Sequence, residues 1–269
     1  LVACADSDGK VYEWQLDRST PTPAAVVTNA PVDNRSIVVT EERFLFCLGA
    51  GGNPRLVQWS DREDNTTWTP SATNEAGDIE LQTSGYIECA HKVRGQTLII
   101  TDQDAHSATY IGPPYVYSFQ RVGSACGIIS KKAGAVAENR AFWMGQRSFF
   151  VYDGSVVQDM PCDVQDYVFR NINRDQVSKV FSVPNRKFNE IWWFYPSGSS
   201  LENDSYVVYN YANNSWYIGN LGRTTGVDAG VFRDPIWFCA TSKIAHTHET
   251  GFDYHNAALP YAETGAIAL

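Results

Sequence analysis

Short apolar or alternating runs recur along the whole chain, bounded by Gly, Pro, Asn and Asp, which is the signature of strands separated by tight turns. The first is a hairpin: Leu1 to Ala5, an Asp8-Gly9 turn, then Lys10 to Leu16, with alternating apolar positions. Similar units follow, each an apolar strand, a polar turn and an aromatic-rich strand. They are Arg43 to Gly49 with Arg55 to Trp59, Gln96 to Thr101 with Ala108 to Ile111, and Arg140 to Gly145 with Ser148 to Tyr152. Glu190 to Tyr195 with Ser205 to Tyr211, and Pro235 to Ala240 with Ala245 to Glu249, continue the series. A helical period is confined to one brief stretch, Val164 to Asn173.

The first apolar residues of these later strands, Phe44, Leu98, Ala141, Ile191 and Ile236, are spaced 54, 43, 50 and 45 residues apart. Propeller blades repeat at roughly 40 to 50 residues, and radial repetition removes the exposed sheet edges that so many short strands would otherwise leave. The pattern therefore predicts an all-β chain folded as a β-propeller of about six blades, with a double β-sandwich as the alternative that spacing alone leaves open. The text changes after Gly251, where Phe252 to Leu269 completes no further hairpin. The expected organisation is a propeller over residues 1–254, and a linker or the first strand of an additional platform domain over 255–269. The sequence opens at Leu1 in strand-like text and stops at Leu269, so it reads as an internal piece of a longer polypeptide.

Composition sharpens this reading. The chain has 269 residues, 43% of them hydrophobic, with 8 Trp, 14 Tyr and 13 Phe against 2 Met, a balance suited to pleated, half-buried surfaces. Its formal charge of −9 gives no overall basic field for tight, general DNA binding, although an acidic wall would let a duplex slide past. Cys4, Cys47, Cys89, Cys126, Cys162 and Cys239 are widely separated in apolar text and read as buried free thiols rather than disulfide or zinc ligands. Asn65, Asn203 and Asn213 begin glycosylation-type triplets, a pattern too frequent by chance to carry weight. No run of about 20 apolar residues suggests a membrane span.

Candidate chemistry is sparse. His246, His248 and Glu249 form the tightest metal-capable set, but a strand would turn Glu249 away from the two histidines, and a third ligand such as His255 would be needed. Asp102, Gln103, Asp104 and His106 fall between two expected strands, where aspartates cap turns. Asp61 to Trp68 is a degenerate form of the S-x-D-x-G-x-T-W turn of sialidase-type propellers, with Asp61, Glu63 and Asn65 replacing its Ser, Asp and Gly; that turn is structural. Gly49 to Pro54 lacks the G-K-[ST] ending of a phosphate loop and reads as a wide hairpin loop. The expectation is a protein that is not an enzyme, with no catalytic residue, metal or cofactor site. Carboxylates paired across blades, as in glycoside cleavage, remain the less favoured enzymatic alternative. A sugar-binding platform built on Tyr115, Tyr117, Trp192, Trp193, Trp216 and Tyr217 is the other, with the proviso that Trp192 and Trp193 face opposite sides of a strand.

Several phrases, taken in order, resemble the tail nozzle (tail tubular) and packaged-DNA-stabilising hub proteins of short-tailed, podovirus-like bacteriophages. They are Leu56-Val57-Gln58-Trp59-Ser60-Asp61 leading to Thr67-Trp68-Thr69-Pro70, Glu75 to Leu81, Gly85-Tyr86-Ile87, and Val93 to Thr101. Phe149 to Gly154, Tyr206 to Asn210 before Ser215-Trp216, and His248 to Asp253 complete the series. The resemblance implies a structural virion protein of the phage tail, assembled in the bacterial cytoplasm and forming a homo-oligomeric ring, six-fold in related nozzles. It further implies portal and adaptor proteins and tail fibres or spikes as partners, and double-stranded DNA that passes without sequence-specific binding. The family has no catalytic motif to carry over.

Overall fold

The computed structural model describes residues 1–16, 19, 22–230 and 232–250. Six small antiparallel sheets follow one another along the chain and are arranged as a six-blade β-propeller. The first sheet has three strands, β1 (Val2–Cys4), β2 (Val11–Glu13) and β3 (Ala25–Val26). Four four-stranded sheets follow. They are β4 (Ser36–Val39) to β7 (Gly77–Glu80) through β5 (Leu45–Leu48) and β6 (Leu56–Trp59), and β8 (Ile87–Val93), β9 (Gln96–Thr101), β10 (Asp104–Gly112) and β11 (Val116–Ser124). Next come β12 (Gly134–Ala137), β13 (Arg140–Met144), β14 (Phe149–Tyr152) and β15 (Val157–Met160), then β16 (Phe181–Asn185), β17 (Glu190–Tyr195), β18 (Ser205–Asn210) and β19 (Ser215–Asn220). The last sheet again shows three strands, β20 (Thr225–Val227), β21 (Ile236–Cys239) and β22 (Ile244–Thr247). The brief helix expected near Val164 is α1 (Gln165–Asn171), in the connection between the fourth and fifth blades. The boundary expected after residue 254, and the segment 255–269, lie outside the described residues.

Each strand pairs with the next in sequence, as short hairpin turns dictate. Neighbouring blades touch through their first strands, β4 with β8, β8 with β12, β12 with β16 and β16 with β20, so first strands line the axis. The opening blade differs in strand direction. Val2 shares a cavity lining with Val39 while Cys4 shares another with Ser36, so β1 runs opposite to β4. It touches β4 as the second strand β5 touches β8. The turn between β1 and β2 depends on Gly9, whose φ of 61° is left-handed and where a Cβ would meet the Asp33 backbone at 2.6 Å. Asp8 closes this turn, accepting from the Lys10 amide at 3.1 Å and the Tyr12 hydroxyl at 2.8 Å.

The core lies between blades rather than inside one sheet. Phe149 in the fourth blade packs at ring-centroid distances of 5.0 Å from Trp193 and 4.7 Å from Trp216 of the fifth. Trp143 and Trp193 are fully buried, and their indole N–H groups donate to the Cys126 carbonyl at 2.7 Å and the Ala133 carbonyl at 2.9 Å. Phe44, Phe46 and Trp59 of the second blade surround Tyr117 of the third, at 5.3, 4.8 and 5.7 Å. Trp237 of the last blade sits 5.0 Å from Trp192 and 5.5 Å from Phe194.

Candidate functional site

The structure tests the aromatic platform directly and dismantles it. Trp193 is fully buried and Tyr117 is 6% exposed, its hydroxyl 2.9 Å from that of Thr40. Trp192 faces the last blade, and half-buried Trp216 donates to the Pro161 carbonyl at 2.8 Å. Only Tyr115, in the β10–β11 turn, and Tyr217, on β19, are exposed, at 78% and 44%, and they belong to blades two apart. Trp192 and Trp193 do face opposite sides of their strand, as alternation requires. Neighbouring blades cover both of those sides, however, so alternate residues are buried either way.

The histidine set is likewise committed elsewhere. His248 follows β22 and its Nε2 accepts from the Nε of buried Arg223 at 3.1 Å, while its ring stacks 4.0 Å from Trp237. Burial, and next the Arg223 charge, push its pKa down to about 4, so it stays neutral beside the guanidinium. Glu249 accepts from the Asn185 amide at 2.9 Å. His255 lies outside the described residues. The arrangement fastens the last blade to the fifth through a hydrogen-bond chain rather than gathering ligands.

At Asp102 to His106 the strand begins earlier than expected, at Asp104, which draws Asp104 and His106 into the sheet and leaves Asp102 and Gln103 as the turn. The buried Asp104 carboxylate accepts from Thr83 at 2.8 Å and Thr101 at 2.7 Å, and His106 Nε2 lies 3.2 Å from the same oxygen. Burial lowers the His106 pKa despite that carboxylate. Thr83 belongs to the link from the second blade, so its bond to Asp104 joins two blades. The succession of Thr101, Asp104 and His106 around a two-residue turn is its only sequence signal.

Asp61 to Trp68 forms a turn between β6 and β7. Asp64 accepts from the Thr66 amide at 2.8 Å and hydroxyl at 2.6 Å and from the Thr67 hydroxyl at 2.7 Å, and these donors lower its pKa. Buried Trp68 returns a bond to the Asn65 carbonyl at 2.7 Å. Gly49 to Pro54 is the loop joining β5 to β6. Glu190 has its pKa raised by burial, with Glu249 of the last blade adding to the effect, while it accepts from Trp192 Nε1 at 2.9 Å. Desolvation lifts the thiols of Cys89 and Cys126 to about 12 and that of Cys162 to about 11, so none of these three is a thiolate nucleophile near neutrality.

One feature with no counterpart in the sequence pattern is a basic cluster at one mouth of the axis. A cavity of about 350 Å³ opens between the lead-in to β4, the lead-in to β12 and the end of β1, lined by Cys4, Asp6, Arg35, Ser36, Ile37, Lys131 and Lys132. Arg35 forks onto Glu88, with Nε 3.1 Å from Oε2. Lys131 pairs with Asp6, whose carboxylate side chain is 84% exposed. That hydrogen bond, and then the Lys131 charge, lower the Asp6 pKa, with Lys132 and Arg35 adding to the effect. Lys132 is exposed and has no ion pair among the described residues. These cations are invisible in sequence because Arg35 and Lys131 are nearly a hundred residues apart and meet only through the propeller.

No family model matches the chain, and no curated protein matches it. Among solved structures it is similar to the dihydro-heme d1 dehydrogenase NirN in complex with DHE, at 9% identity and a TM-score of 0.51, over 85% of this chain and 46% of that one. The chain thus spans about half the length of NirN. It is also similar to the AfRom2 CNH domain, at 11% identity and TM-score 0.45 over 88% of each chain, and to the N-terminal domain of Nup159, at 11% and 0.46 over 82% of this chain and 57% of that one. Identities this low speak to the propeller fold alone.

Proposed function

We propose that this chain is an architectural component of a bacteriophage tail, a nozzle or hub subunit that forms part of the DNA-exit conduit, retaining packaged DNA and allowing its ejection. The reading rests on the ordered phrases from Leu56 to Asp253 that resemble those proteins, and on one structural observation that suits it. Several of the side chains that stood out as candidate chemistry help to join blades instead: Asp104 between the second and third, Glu249 between the fifth and last, and a buried indole across the fourth and fifth. Close-packed interfaces of this kind make a stiff wall, and stiffness is what a channel around pressurised DNA requires.

In this reading identical subunits associate head to tail into a closed ring through heterologous interfaces, and the axial path of the ring carries the duplex. Adaptor, portal and fibre proteins contact loops at the ends of the blades. Native mass spectrometry of the intact protein, alone and mixed with its neighbouring tail proteins, tests this. A cyclic oligomer is the expected result, and a monomer under both conditions overturns it. The glycan-binding alternative has lost its aromatic platform, and binding of an oligosaccharide array through Tyr115 or Tyr217 would be required to restore it.

A further inference from the structure

We propose that the mouth of the propeller's own axis, framed by Arg35, Lys131 and Lys132, is a phosphate-binding site that takes the backbone of a DNA duplex lying against that face. The proposal rests on the conduit reading and adds to it the residues that touch the DNA.

The cations are presented by a fixed frame. Lys132 bridges Phe181 in parallel, its carbonyl accepting from the Ser182 amide at 2.9 Å, and the neighbouring Ser130 hydroxyl donates to the Val180 carbonyl at 2.5 Å. The lead-in to β12 is thereby tied to the next blade, and the two lysines project from an anchored backbone. On the other wall, the Arg35 amide bonds to the Leu48 carbonyl at 2.9 Å. Three cations thus reach one opening in a chain whose formal charge is −9.

Two carboxylates accompany them, and their exposure decides what each is worth. Glu88 is mostly covered, its side chain 13% exposed, and holds Arg35 through two bonds, so Arg35 contributes direction more than free charge. Asp6 is 84% exposed, and an ion pair so open to water contributes little, so a polyanion displaces it from Lys131 easily. Asp6 therefore marks a position where an anion is already welcome. With Lys132 unpaired among the described residues, the mouth offers two ammonium groups to phosphates. Two point charges without base-reading side chains give contact that is weak, salt-labile and blind to sequence, which suits a duplex that must slide.

The test is fluorescence anisotropy of the intact chain with a labelled 20-bp duplex at rising salt. Lys131→Ala with Lys132→Ala is expected to weaken binding about tenfold at low salt. It should also flatten the slope of log K against log salt by about 1.8, from roughly 0.9 for each phosphate no longer neutralised. Asp6→Asn is expected to tighten binding several-fold, and Lys131→Arg with Lys132→Arg to retain it, which separates removal of charge from failure to fold. Inorganic phosphate is expected to compete only at millimolar concentration. The proposal is overturned if the alanine pair leaves affinity and slope unchanged, or if replacing the distant Lys92 and Lys187 by Ala costs as much. Native mass spectrometry on the same samples separates the two ideas, because a ring with an indifferent mouth refutes this site and spares the conduit.

Discussion

The four central blades and the two terminal ones are made from the same hairpins, yet they are held in place differently. The fourth and fifth are each covered on both faces, and their interface contains fully buried Phe149 and Trp193. Among the described residues, the first and last blades bury one face each more deeply than the other. In the last, Trp237 is sealed against the fifth blade while Val227 and Phe238 on the other face are 49% and 41% exposed. In the first, Val11 is buried against the second blade and Val26 is 49% exposed. Strand pairing alone therefore does not set the stability of a blade here. What sets it is how many neighbours cover it, as expected when the hydrophobic contribution scales with the apolar area removed from water.

The largest test of this contrast is truncation of a doubly covered side chain. Trp193→Ala is expected to cost about 3–5 kcal/mol in chemical denaturation, against less than about 0.5 kcal/mol for Val26→Ala on the first blade. Equal losses would show that the terminal blades are as tightly bound as the centre. A smaller effect comes from the polar joint between the second and third blades. Thr83→Val leaves the buried Asp104 carboxylate short of one donor and is expected to cost about 1–3 kcal/mol, with no change if that joint is idle. Hydrogen exchange sharpens the comparison without mutation. Amides of β20–β22 are expected to exchange before those of β12–β15, through local opening, and the reverse order would contradict the role given to coverage.

Acid gives a further handle, because both kinds of blade hold a histidine neutral by burial. His91 on β8 and His248 beside Arg223 have pKa values lowered from 6.5 to about 4. The unfolded chain binds these protons first, so the stability they contribute is complete above about pH 6.5 and is lost as pH falls towards 4. His248→Gln is expected to flatten that decline and His91→Gln to flatten it separately. A melting profile over this range that neither substitution alters would show that these side chains are not held neutral.

Much of the fold is legible in the sequence. Turn residues and alternation locate the six hairpins because every blade begins from local chemistry, as at Asp8-Gly9. The brief helix near Val164 is equally visible. Residues whose roles depend on what covers them are not. Tyr117 and Trp193 look like any other strand aromatics, and only the adjoining blade makes them core. His106 reads as a turn residue because the threonines that draw Asp104 into the sheet come partly from the neighbouring blade, through Thr83. The axial cations are beyond reach for the same reason, since Arg35, Lys131 and Lys132 become neighbours only when the ring of blades brings its first strands together.

The most direct test of the whole account is electron microscopy of the purified intact protein, with and without the tail proteins that the proposed function would make its neighbours. Class averages showing a ring of propellers around an open axial path wide enough for a duplex are expected. Isolated single propellers in every preparation would contradict it.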